Sequence, residues 1–145
     1  MMLTKEEINN LIHKAQTVRK YAFAFKSGHG FGACVLTVDG NYYEGVNVEG
    51  VISSMGVCAE MAAVDHAATH GKYAHKALCV ADKNITYPCG ACLQYLTQFS
   101  QVNDMDFEIV ATDMDGKYEI KKLSELLPKK YRSVTFDDKL KSFNL

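Results

Sequence analysis

Residues 58–99 read CAEMAAVDHAATHGKYAHKALCVADKNITYPCGACLQYLTQF. The alanine-rich start, with Met61, Val64, Ala67 and Ala68 at helical spacing and Gly71 behind them, predicts a helix over Cys58–His70. Lys76–Ala81 reads as a short buried strand, Asn84–Pro88 as a loop, and Gly90–Phe99 as a second helix. Cysteines therefore stand at both helix starts, Cys58 at one and Cys89 with Cys92 at the other. Helix N-termini carry partial positive charge and free N–H groups, which favour thiolate over thiol. Three thiolates on converging helix starts suit Zn²⁺. Three protein ligands leave a fourth position open for water, as in catalytic rather than structural zinc sites. Glu60 is not needed as a ligand. A carboxylate beside that open position is placed as a proton shuttle.

The rest of the chain extends this pattern. Thr4 and Glu7 fit a capping box, and Ile8, Leu11, Ile12, Ala15 and Val18 continue it as a helix over about Lys5–Lys20. Tyr21–Gly30 reads as a loop holding His29 between Gly28 and Gly30. Gly32–Val38 and Tyr42–Asn47 read as strands joined by an Asp39-Gly40 hairpin, and Glu49–Val57 as a loop. Phe107–Ala111 and Tyr118–Lys121 are strands around Asp115-Gly116, and Ser124–Leu127 a helical turn before Pro128. The order α-β-β-α-β-α-β-β predicts an α/β fold, a mixed sheet with helices on its faces, followed by a variable tail over 129–145. Cys34 and Cys79 fall inside strands and read as packing residues. His13, His66, His70 and His75 read as surface or packing histidines.

At 145 residues the chain fits one domain able to bury its own core. Sixteen basic against seventeen acidic residues give a net charge of −1, which argues against nucleic acid as a partner. No apolar run approaches the roughly 20 residues of a membrane span, so no membrane partner is expected. The first residues lack the basic-then-apolar order of a secretion signal, so a cytoplasmic, reducing location is expected. Five cysteines in such a compartment point to metal or redox work rather than to disulfides. A thioredoxin-type Cys89/Cys92 pair would leave Cys58 and Glu60 unexplained. A structural zinc site would need a fourth ligand that no histidine obviously supplies.

Cys58-Ala59-Glu60 followed by Pro88-Cys89-Gly90-Ala91-Cys92 resembles the signature of zinc-dependent base deaminases. Phe31-Gly32-Ala33, Asn47-Val48-Glu49 and Glu125-Leu126-Leu127-Pro128 extend the resemblance to the cytidine deaminase family, over about Gly32 to Pro128. Cysteine rather than histidine in the first ligand position resembles the members that act on free nucleosides. The resemblance implies a three-layer αβα sandwich around a five-stranded mixed sheet. It implies one Zn²⁺ per chain on Cys58, Cys89 and Cys92, and Glu60 as the catalytic proton carrier. The sugar would lie on Asn47 and Glu49, and the base on the Ala59 N–H and the Tyr87 carbonyl. The activity implied is hydrolytic deamination of cytidine, deoxycytidine or a close analogue in pyrimidine salvage, by a homo-oligomer, commonly a tetramer. Tyr131 stands near where family members place an aromatic that reaches a neighbour's site.

Four positions depart from the family pattern. His29 stands where a phenylalanine usually stacks on the base; Gly50 replaces an asparagine, Ser53 an aromatic, and Met61 an arginine. That arginine usually offsets the negative charge of three thiolates, and the chain's two arginines, Arg19 and Arg132, are distant in sequence. An aliphatic residue after the Cys-Ala-Glu triplet also resembles blasticidin-S deaminases, which lack the acid at Glu49. A zinc-holding, inactive nucleoside-binding protein is the reading from outside enzymology, and an intact Glu60 argues against it.

Overall fold

Thr4 closes the first helix with both halves of its capping box: Glu7 N donates to Thr4 Oγ1 (3.1 Å) and Thr4 N to Glu7 Oε1 (2.9 Å). The helix it starts is α1, Lys5–Val18, prolonged by a 3-10 turn over Arg19–Tyr21. The computed structural model describes residues 2–144. After α1 come β1 (Gly32–Thr37), β2 (Tyr42–Val46), α2 (Ala59–Thr69), β3 (His75–Ala81) and α3 (Gly90–Asn103). They are followed by β4 (Glu108–Thr112), β5 (Tyr118–Lys122), α4 (Leu123–Leu126) and α5 (Asp137–Lys141).

The sheet has five strands in the order β2-β1-β3-β4-β5. Only β3 and β4 run parallel, with α3 as their crossover. Alternation divides the core into two layers. Ala33, Val35 and Leu78 pack with α2 and α3 through Ala63, Leu96 and Phe99. Cys34, Leu36, Ala77 and Cys79 pack with α1 through Leu11, Ile12 and Ala15. The result is the expected three-layer α/β sandwich, and Cys34 and Cys79 sit buried opposite each other across β1 and β3 as packing residues. Among the described residues no helix is long and apolar enough to cross a membrane.

Three local expectations change. α3 runs to Asn103 rather than Phe99, because Leu96, Phe99 and Val102 keep it buried until Asp104 turns left-handed at φ 51°. β3 starts at His75, one residue early. That histidine is fully buried between Phe99 and Phe107, and neither ring nitrogen has a partner. The tail is ordered on α3: the Gln94 and Gln101 side-chain amides each make two hydrogen bonds to the backbone of Tyr131 and Ser133.

Candidate metal centre and cavity

Strand register decides where the site lies. Gly32 pairs with Val46 on one side and Ala81 on the other, so three strands end in one row. Phe31, Asn47 and Asp82, the next residues out, leave the sheet at the same end. The chain then returns from β2 into α2 and from β3 into α3, bringing both helix starts to that end. Gly45 sets the depth of α2: a Cβ there would lie 2.3 Å from Ala63 N and 2.6 Å from Ala59 O. The first turn of α2 thus rests on bare β2 backbone.

Cys58 and Cys89 are the N-cap residues of α2 and α3, and Cys92 lies one turn into α3. Their three Sγ atoms lie within 4.8 Å of one another. Thiolates on a tetrahedral zinc at about 2.3 Å stand about 3.8 Å apart, so the cluster closes around such an ion with small shifts. Burial, then the neighbouring Glu60 and Cys58, push the Cys92 thiol strongly up. Burial foremost pushes the Cys58 thiol up. Three crowded thiols beside a carboxyl make a donor set whose ionised form calls for a soft divalent cation. Cys92 is buried, Cys58 half-buried and Cys89 exposed, which leaves one side of the cluster open.

That side faces a cavity of about 450 Å³ lined by Phe31, Asn47, Glu49, Cys58, Ala59, Glu60, Tyr87 and Cys89, among others. The volume lies in the range of small-molecule sites. Glu60 is only 7% exposed, and burial raises its pKa, so the carboxyl is disposed to hold a proton. Asn47 is also buried. Its Oδ1 accepts from Phe31 N (2.8 Å), and its Nδ2 donates to His29 O (3.1 Å). Glu49 accepts from Lys26 N (2.8 Å), Ser27 N (3.1 Å) and Ser27 Oγ (2.5 Å), bonds that lower its pKa and keep it ionised. Tyr87 donates its phenol to Glu119 Oε1 (2.5 Å), which fixes the segment before Cys89 against β5.

His29 departs from its expected place. It is not among the cavity residues. Its Nε2 lies 2.6 Å from Asp82 Oδ1, and its ring stacks on Phe31 with centroids 4.6 Å apart. The bond to Asp82 holds the imidazole to the end of β3, and Phe31, two residues on, is the aromatic ring among the cavity residues on that side. Asp82 and Ser27 are partners that the sequence alone does not single out. Each acts across loops remote in sequence, and no spacing signals that. Ser53 lines the cavity and accepts from Lys26 Nζ (3.0 Å).

The described arrangement agrees with known proteins. Residues 5–108 match the family model "Cytidine and deoxycytidylate deaminase zinc-binding region". The chain belongs to this deaminase family. A probable cytidine deaminase of Dictyostelium discoideum is 35% identical over 87% of the chain and 84% of its own length. A cytidine deaminase of Sporosarcina psychrophila is 33% identical over 84% and 89%. Among solved structures, a cytidine deaminase from Burkholderia pseudomallei superposes with a TM-score of 0.79 at 29% identity, covering 89% of this chain and all of that one. In this member of the deaminase family the zinc-binding region contains the three-cysteine cluster, and zinc is the metal its donors fit.

Proposed function

We propose that the chain is a zinc-dependent hydrolase that converts cytidine or deoxycytidine to the uracil nucleoside and releases ammonia, as a single deaminase domain. The observation that carries this is the buried Glu60 carboxyl, which lines the cavity together with Cys58 and Cys89 of the three-cysteine cluster. Cys58, Cys89 and Cys92 would hold zinc, which when bound supplies an activated water near neutral pH. Glu60 takes a proton from the attacking water, passes it to ring N3, and then supports protonation of the departing amine. Protonating N3 makes C4 of an otherwise poor electrophile open to attack.

The remaining cavity groups bind and orient. Asn47 and Glu49 each keep spare hydrogen-bonding capacity beyond their bonds to the 26–31 loop, and they hold the sugar hydroxyls. The Ala59 N–H, in the first turn of α2, has no partner within the helix and meets the base. The Tyr87 carbonyl takes the amino group. His29 acts on the base only through Phe31. A carboxylate at Glu49 on the cavity wall favours a nucleoside sugar over the blasticidin-S alternative.

The enzyme works in the cytoplasm on free nucleoside, as a homo-oligomer and by family resemblance a tetramer. Exposed Phe23, Val48 and Val57, which bridges join side by side, and exposed Val51, Ile52 and Met55 in the loop between Val48 and Val57 support a partner chain beside the cavity. The test is ammonia release by zinc-loaded protein on cytidine, deoxycytidine, blasticidin S and adenosine, with Glu60→Gln alongside. Turnover of cytidine or deoxycytidine, lost at least 100-fold in Glu60→Gln with zinc content unchanged, is expected. Turnover of blasticidin S alone, or a fully active Glu60→Gln, would overturn the substrate or the mechanism respectively.

A further inference from the structure

Asp82 follows directly on β3 and is almost fully buried. Its Oδ1 accepts from His29 Nε2 (2.6 Å) and Lys83 N (2.7 Å), and its Oδ2 from Thr86 Oγ1 (3.0 Å). The Arg19 guanidinium stands 3.9 Å away. Burial alone would raise this carboxyl. The bonds from His29, Lys83 and Thr86 outweigh it and hold Asp82 below the usual range. An ionised carboxylate only accepts, so Nε2 carries the hydrogen whether the imidazole is neutral or charged.

The same histidine is fixed at its backbone. Its N–H donates to Ser27 Oγ (3.0 Å), and its carbonyl accepts from Asn47 Nδ2 (3.1 Å). Its ring lies 8° from parallel to Phe31. Phe31 and Thr86 both line the catalytic cavity, yet they come from segments separated by three strands and a helix. Asp82 is bonded towards both sides, through His29 on one and directly to Thr86 on the other.

We propose that His29 is a positioning residue: its hydrogen bond to Asp82 fixes the ring of Phe31 and ties that wall of the cavity to the 82–87 segment ahead of Cys89. The role rests on the cytosine-nucleoside reading above. Phe31 then meets the bound nucleoside away from the reacting carbon and amine. Loosening it weakens ground-state and transition-state binding together, so KM rises while kcat holds.

Two substitutions separate the bond from the stack. His29→Gln carries an amide nitrogen the same number of bonds from Cα as Nε2 and keeps the donor. His29→Phe keeps a stacking ring and loses the donor. His29→Phe is expected to raise KM about tenfold, the loss of one hydrogen bond to a charged group, with kcat within about twofold. His29→Gln, which keeps the bond to Asp82 but not the stacked ring, is expected to raise KM less than His29→Phe. Hydrogen–deuterium exchange gives a readout free of substrate: amides of 83–87 should exchange faster in His29→Phe and as in the parent in His29→Gln, with α1 unchanged. Parent KM and parent exchange in His29→Phe would overturn the proposal, and so would equal KM increases in both variants. A parent protein that deaminates no cytosine nucleoside would refute the substrate reading, while the exchange difference would still uphold the His29–Asp82 tie.

Discussion

Gly45→Ala isolates what the close approach of α2 to β2 contributes to the site. The added Cβ would sit 2.3 Å from Ala63 N, 2.6 Å from Ala59 O and 2.8 Å from Ala62 C, all backbone atoms of the first turns of α2. Ordinary contact begins near 3.4 Å, so the helix start must retreat by about 1 Å. No side chain is there to swing aside. The retreat carries Cys58 and Glu60 away from Cys89 and Cys92, which are fixed by α3. Misplacing catalytic groups by about 1 Å can cost on the order of 100-fold in rate. Overpacking of this kind costs roughly 1–3 kcal/mol, a fall in Tm of several degrees for a chain of this size. The assay is kcat on the preferred nucleoside with zinc content measured on the same sample, beside thermal unfolding. We expect kcat down about 100-fold, reduced zinc retention and a lowered Tm. Parent kcat together with parent Tm would show that α2 does not depend on this contact for its position, and would refute the reasoning.

Two further outcomes follow from buried polar groups and the tail. His75 has a pKa lowered to about 4 by burial, so the folded state keeps it neutral while the unfolded chain, at its ordinary 6.5, takes up a proton. The unfolded state binds more protons between those values. Stability is therefore full above about pH 6.5 and falls as pH drops towards 4, by roughly 2 kcal/mol at pH 5. His75→Phe should remove that term, so its Tm advantage over the parent should widen by about 4–8 °C between pH 7.5 and 5 at fixed protein concentration; a constant gap would refute it. Gln94→Ala combined with Gln101→Ala removes the four bonds that hold Tyr131 and Ser133 on α3. Limited trypsin cleavage after Lys129, Lys130 or Arg132 should quicken at least tenfold, and unchanged cleavage would mean that other contacts hold the tail.

Elements whose signals are local are legible in the sequence alone. The capping box at Thr4, the hairpin at Asp39-Gly40 and the two cysteine-headed helices each carry their cue within a few residues. Periodicity in α2 and β3 then gave the order of layers. The metal cluster was legible for the same reason, since Cys58, Cys89 and Cys92 are placed by helix starts rather than by flexible loops. What stayed hidden depends on contacts between distant segments. The resemblance puts His29 where a base-stacking phenylalanine usually stands, and nothing near it in sequence points to its partner Asp82, at the end of another strand. His75 reads from sequence as a surface or packing histidine, and only strand register and the rings of Phe99 and Phe107 decide for packing.

The absence of an arginine after the Cys-Ala-Glu triplet raised the question of what offsets the charge of three thiolates. Neither arginine of the chain does so. Arg19 donates to Gly30 O (2.8 Å) and faces Asp82, and Arg132 faces Asp104 at 3.6 Å. Met61 itself lines a separate groove with Gln94, Tyr95 and Tyr131 rather than the catalytic cavity. What remains is backbone. Cys58 and Cys89 occupy the N-cap positions of α2 and α3, so the sulphurs stand at two helix starts. Each start presents roughly half a positive charge, and two together come to about one elementary charge. That is the charge of the missing guanidinium, delivered by groups that fade within one turn of the helix end. A site balanced this way depends on the seating of its helices more than one balanced by a long, adaptable side chain. The bare backbone contact at Gly45 is therefore an electrostatic device as well as a packing one: it keeps the dipole of α2 aimed at the cluster, and a retreat of that helix weakens the thiolates as well as displacing Glu60.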